Sequence, residues 1–193
     1  MQSARRSANR IALIAPIAAV LFAVFALPLS GKPSSFRLWS PDIKGPTLGM
    51  KQVFNGMGCT GQNISPALHW SGAPSDTKSF AVTVYDPDAP TGSGWWHWTV
   101  YNIPAVVMSL PTGAGSGTGL PVGAVQGTTD FGKPGFGGAC PPKGDKPHRY
   151  YFTVYALNVP SIDVPATASA ANVGFNVHAH KIGQASFVAR YGR

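Results

Sequence analysis

The chain has 193 residues, a formal net charge of +8, and 11% charged against 44% hydrophobic positions, enough for one domain with its own core and too little for two. Glycine (23) and proline (18) make up about a fifth of it, which excludes a helical bundle, since both interrupt helices. The glycines follow no triplet period, which excludes collagen, and the aromatic and apolar content excludes general disorder. All seven acids are aspartates, residues suited to turns and caps rather than helix interiors.

Arg5, Arg6 and Arg10 precede an apolar run, Ile11 to Leu29, that contains no acid. A basic start followed by such a run is the pattern of an export signal. Residues 1–30 are therefore predicted to be a signal peptide or an N-terminal membrane anchor, and residues 31–193 the folded domain. The run is 19 residues long, near the ~20 that span a bilayer core. Cleavage near Val24-Phe25-Ala26 and a membrane tether through residues 11–29 both remain open, as does a plain buried helix, for which the basic flank would be unnecessary. Arg5-Arg6 is followed by residues that match the twin-arginine route poorly. The expected address is outside the cytoplasm, periplasmic or extracellular, either released or tethered.

Beyond this segment twelve basic residues face seven acidic ones, scattered along the chain. No basic run suggests a nucleic-acid partner, whereas a mildly positive domain favours small anionic ligands and anionic surfaces. Two cysteines, Cys59 and Cys140, permit one disulfide in an oxidising compartment, and a pair of buried thiols is the alternative. Neither lies in a C-x-x-C motif, so no metal site or redox centre is expected.

Residues 31–65 are polar and broken by Pro33, Pro41, Gly45 and Pro46, which predicts a short strand or two with loops. From Ser79, Phe80, Val82 and Val84 alternate with Ala81, Thr83 and Tyr85, the period of a strand apolar on both faces. Trp98 to Ile103 and Tyr150 to Leu157 repeat the pattern. Between them, Gly113 to Gly138 is rich in Gly, Thr and Pro, too irregular for a helix and long for a plain connection. Residues 166–183 carry a weak helical pattern, and Ser186 to Tyr191 alternates again. The predicted fold is mainly β: a two-sheet antiparallel β-sandwich with one or two short helices near the C-terminus.

Three polar clusters stand at the ends of those strands. In Asp86-Pro87-Asp88-Ala89-Pro90, two prolines hold both aspartates in a rigid turn. In Trp95-Trp96-His97-Trp98, an imidazole among indoles is partly desolvated and kept neutral unless a carboxylate lies near. The third runs from Gly135 through Gly138, Cys140, Pro141 and Pro142 to His148-Arg149-Tyr150. Strand alternation puts His148 and Tyr150 on one face and Arg149 on the other, where a carboxylate such as Asp88 is its expected partner. The glycines, Gly138 among them, can offer backbone N–H groups to an anion, although the run is neither a P-loop nor a dinucleotide fingerprint and implies no cofactor. Each cluster read alone also fits an ordinary turn or core histidine. Read together, they specify a small site for an oxyanion, such as a phosphate ester.

The segments Asn63 to Trp70, Thr77 to Ala81, Asp86 to Pro90, Gly94 to Trp98, Gly135 to Gly144 and His148 to Leu157 resemble, in order and spacing, the phosphatidylethanolamine-binding protein family, in particular its bacterial Raf-kinase-inhibitor-like branch. The likeness covers roughly residues 36–193. The resemblance implies a β-sandwich with a shallow anion pocket formed by Asp86, His97, His148 and Tyr150, with Pro141 and Pro142 at its rim. It also implies binding of phosphorylated head groups or other small anions, and some eukaryotic members of the family bind kinases or inhibit serine proteases. Two departures are Phe136, where this branch usually has Tyr, and Ala139, where it usually has Pro.

Three functions follow as expectations: a noncatalytic binding module for small phosphorylated or anionic ligands; a protein-directed inhibitor of a serine protease or kinase; and an enzyme using His97 or His148 as a base oriented by Asp86. The third lacks a nucleophile motif such as G-x-S-x-G. His178 and His180, two apart, diverge on a helix and make poor metal partners, and His69 reads as structural or exposed.

Overall fold

A computed structural model describes residues 35–193. The expectations for the leader, the tether through residues 11–29 and the boundary at residue 30 lie outside the described residues. These form ten strands and one α-helix: β1 (Arg37–Trp39), β2 (Asn55–Gly56), β3 (Cys59–Thr60), β4 (Leu68–Ser71), β5 (Ser79–Asp86), β6 (Trp95–Pro104), β7 (Ser109–Leu110), β8 (Val125–Gln126), β9 (His148–Leu157), α1 (Ala170–His180) and β10 (Lys181–Tyr191).

The three long alternating stretches become β5, β6 and β9, the middle of a five-stranded sheet ordered β10-β9-β5-β6-β8; a three-stranded sheet, β1-β4-β7, is the second layer. All strand pairs are antiparallel. Alternation decides the faces. Phe80, Val82, Val84, Phe152 and Val154 pack with Leu38, Leu68, Trp70 and Leu110 in the main core. Ala81, Tyr101 and Leu157 point the other way, under α1, where they meet Val173 and Val177. Burying each of the larger side chains stabilises the fold by about 1.5–3 kcal/mol relative to leaving it in water.

The two-sheet description needs correction, because β2 and β3 form a third, two-stranded sheet. Gly56 pairs with Cys59 across a turn at Met57-Gly58, a hairpin with too few residues to show alternation. One α-helix is present among the described residues, shorter than the 166–183 pattern, and capped by Ser169, whose side chain accepts from the Asn172 N–H. β10 is longer than its alternating part, since a register shift between Lys181 and Gly183 interrupts the period of two.

Two loops tie the sheet ends. A strap crosses the outer edge of β10, with the Leu48 N–H donating to Arg190 O (2.9 Å) and the Arg190 N–H to Pro46 O (2.7 Å). Cys59 and Cys140 are bonded to each other, their Cα atoms 6.0 Å apart and 81 residues apart in sequence. The bridge joins the β2–β3 hairpin to the segment before β9.

Candidate functional site

β5 ends where its antiparallel neighbours β6 and β9 begin, so the polar residues at these three ends share one end of the sheet. They border a pocket of about 260 Å³ lined by Asp86, His97, His148 and Tyr150, together with Pro141, Pro142 and Cys140. The four polar side chains are nearly inaccessible: Asp86 is 3%, His97 4%, His148 3% and Tyr150 1% exposed.

His97 reaches the pocket through a break in the sheet. Val84 pairs with Trp98 and Tyr85 with Trp96, leaving His97 as an extra residue in β6. Such a bulge re-aims a side chain. It allows Trp98 to stay in the main core while the His97 ring sits edge-on to Tyr150, 5.1 Å between centroids.

Asp86 orients His148, not His97. Asp86 Oδ2 lies 2.8 Å from His148 Nδ1, and because a carboxylate only accepts, Nδ1 carries the hydrogen. Asp86 Oδ1 accepts from the Asp88 N–H (2.8 Å), so both oxygens are engaged. On its far side, His148 Nε2 faces Asp145 Oδ2 at 3.4 Å. The Asp88 carboxylate turns outward and takes the fork of Arg149, with Nη2 to Oδ1 at 2.7 Å and Nε to Oδ2 at 2.9 Å, and also the Arg149 N–H at 2.8 Å. These bonds hold the Asp88 carboxyl down at about 2 and push the Arg149 guanidinium further up. Arg149 therefore has the partner expected of it.

His97 Nδ1 lies 2.7 Å from Gly137 O; the carbonyl accepts, so Nδ1 is the protonated nitrogen. Burial pushes the His97 pKa down, outweighing the nearby carboxylates of Asp86 and Asp130, and burial likewise pushes the Tyr150 phenol up. His97 Nε2 and the Tyr150 hydroxyl are both buried with no hydrogen-bond partner.

The glycine run works differently from the expectation. The Gly138 N–H donates to Asn63 Oδ1 (2.7 Å) and the Gly137 N–H to His97 O (2.8 Å), so neither is available to an anion. A side chain on Gly138 would strike the backbone of Gln52 to Phe54, and one on Gly137 would strike the Phe131 ring. Close approach is what these glycines permit. Phe136 lies in the core, edge-on to Trp98, so the hydroxyl it lacks is remote from the pocket.

Sequence reasoning missed the aromatic and cationic walls. Phe131 packs edge-on against both Trp95 and His97, each with centroids 5.4 Å apart, and with them forms the apolar side of the pocket. Its signal was only the length of the loop that carries it. Arg193 also lines the pocket, its Nε donating to Pro141 O (2.7 Å) and Nη1 to Gly58 O (2.8 Å). Among the described residues no group of three or more His, Cys or Asp is placed to hold a metal ion.

Fold and site together define a β-protein with a small pocket at one sheet end, lined by buried polar side chains. A model of the phosphatidylethanolamine-binding protein family matches residues 44–192, and the chain belongs to that family. It is 57% identical to the UPF0098 protein YbcL of Escherichia coli K12 over 168 residues, covering 86% of this chain and 92% of YbcL. It is 56% identical to YbhB of the same organism over 157 residues, covering 80% and 99%. The crystal structure of E. coli YbcL, described as a new member of the mammalian PEBP family, superposes with a TM-score of 0.80 at 59% identity, covering 82% of this chain and 98% of that one. The CT736 protein of Chlamydia trachomatis gives 0.68 at 32% identity, covering 82% and 97%.

Proposed function

We propose that the protein binds small phosphorylated or otherwise anionic ligands in this pocket, without chemical conversion. The observation that carries this reading is the pair of buried, unpartnered polar atoms, His97 Nε2 and the Tyr150 hydroxyl. Leaving a polar group buried and unpaired costs about 1–3 kcal/mol, and a ligand that donates a hydrogen to His97 Nε2 and accepts one from the Tyr150 hydroxyl would remove that penalty. The Arg193 guanidinium, which also lines the pocket, supplies further N–H donors.

The lack of turnover is supported by what surrounds the Asp86–His148 pair. This pair has the form of an oriented base, but the nearest candidate nucleophiles are engaged: Cys140 is in the disulfide and the Thr91 hydroxyl donates to Gly94 O. The disulfide also supports an exported location, since such bridges persist in oxidising compartments.

Titration calorimetry at pH 5.5 with inorganic phosphate and with phosphoethanolamine tests the reading. Wild type is expected to bind, and His97→Ala and His148→Ala to lose binding. Unchanged affinity in both variants, or no binding by wild type, would overturn it.

A further inference from the structure

The hydrogen-bond roles around His97 restrict what kind of oxyanion fits, an inference that rests on the reading just given. Because Nδ1 donates to the Gly137 carbonyl at 2.7 Å, the neutral ring presents only a lone pair at Nε2, the buried atom without a partner. A fully ionised oxygen placed there would set lone pair against lone pair. One hydrogen must lie between them, on the ligand oxygen or on the ring.

The groups around His97 come from each element packed on it. β5 contributes Asp86, β9 contributes His148 and Tyr150, the loop after β8 contributes Asp130, and Arg193 is a further lining residue of the pocket. Asp86 and Asp130 favour a charged ring, and burial opposes it more strongly. Asp130 is itself held by the Trp96 N–H at 2.7 Å, and both oxygens of Asp86 are in use. Tyr150 can donate to a second ligand oxygen but cannot relieve the clash at Nε2. Two carboxylates, Asp86 and Asp145, flank His148, which further disfavours a dianion.

From this arrangement we infer that the pocket takes its oxyanion with one proton shared between a ligand oxygen and His97 Nε2, and so selects phosphomonoesters and free phosphate over phosphodiesters. A monoester keeps a P–O–H group below its second ionisation near pH ~6, whereas a diester monoanion, as in an intact phospholipid head group, has only bare accepting oxygens. The monoester could be a free metabolite or a head group released from lipid; the chemistry at Nε2 is the same.

Calorimetry on the full domain with phosphoethanolamine and glycerophosphoethanolamine tests this. Wild-type affinity for the monoester should fall about 50-fold between pH 6 and pH 8, following the monoanion fraction of a group ionising near pH 6. The diester should bind at least about tenfold more weakly at pH 5.5, as expected for one missing hydrogen bond in a buried site. Titrations in two buffers of different ionisation enthalpy should show about one proton taken up at pH 7.5 and almost none at pH 5. His97→Gln, which places an N–H donor near Nε2, should flatten the pH dependence. Monoester affinity that is constant from pH 6 to 8, a diester bound as tightly as the monoester, or a slope surviving in His97→Gln would each overturn the inference. If that variant does not fold, the wild-type proton count decides, with zero uptake at pH 7.5 counting against it. Absence of binding at pH 5.5 would instead overturn the binding proposal itself, so the two failures are distinguishable.

Discussion

Two acid–base pairs join the same two segments of the chain and face opposite ways. Asp86 with His148 points inward and is sealed, both side chains 4% exposed; Asp88 with Arg149 points outward, at 29% and 40%. The bases are consecutive on β9, so strand alternation puts them on opposite faces; the acids are two positions apart, and it is the turn that follows β5 that carries Asp88 outward. Outside, water screens the pair and its role is geometric, fastening the turn after β5 to the start of β9. Inside, the same type of contact fixes which nitrogen of an imidazole holds hydrogen, a chemical role. Proximity in sequence says little about which role a charged residue has; burial decides it.

The contrast is broken most severely by Asp86→Ala. Removing one partner of a buried pair costs about 3 kcal/mol or more, and here it also strands the Asp88 N–H. Urea unfolding should show that loss together with loss of phosphoethanolamine binding, while Asp86→Asn, which keeps an acceptor for His148, should lose less stability. Tyr150→Phe sharpens the inner side of the comparison. Deleting a hydroxyl that has no partner in the fold should leave the unfolding midpoint unchanged or slightly raised, while ligand affinity at pH 5.5 drops about tenfold, the value of one hydrogen bond to a buried group. A parallel fall in stability would show that the hydroxyl serves the fold.

The smallest effect belongs to the outer pair. Asp88→Asn should lower the thermal midpoint by on the order of a few degrees near neutral pH and leave phosphoethanolamine affinity unchanged. Because Arg149 lowers the Asp88 pKa to about 2 in the fold, its contribution is present above the unfolded value of about 3.9. It then disappears as pH falls through about 2. Wild-type and variant midpoints should converge there, and a gap that persists at pH 2 would contradict the ionic origin.

Much of this was legible in the chain because its signals are local. Alternation placed β5, β6 and β9, the Asp-Pro turn placed two aspartates at a strand end, and residue parity separated His148 and Tyr150 from Arg149. What escaped depended on distant partners. Gly138 looked like an anion-reading amide until Asn63, 75 residues away, was seen to occupy it. The bulge that turns His97 inward adds one residue against a partner strand, and a single strand cannot reveal that mismatch. Phe131 and Arg193 carry no pattern of their own, and the two-residue pairing of β2 with β3 is too short for any periodicity.

The strap at Pro46–Leu48 also governs how neighbouring copies can meet. A bare outermost strand offers its amides as a template to any approaching polypeptide. By occupying both backbone groups of Arg190, the strap denies a stranger that foothold on β10 beside the pocket mouth, and at the opposite margin β8 has only two residues to offer. Sheet-to-sheet growth is thus discouraged at both margins of the five-stranded sheet.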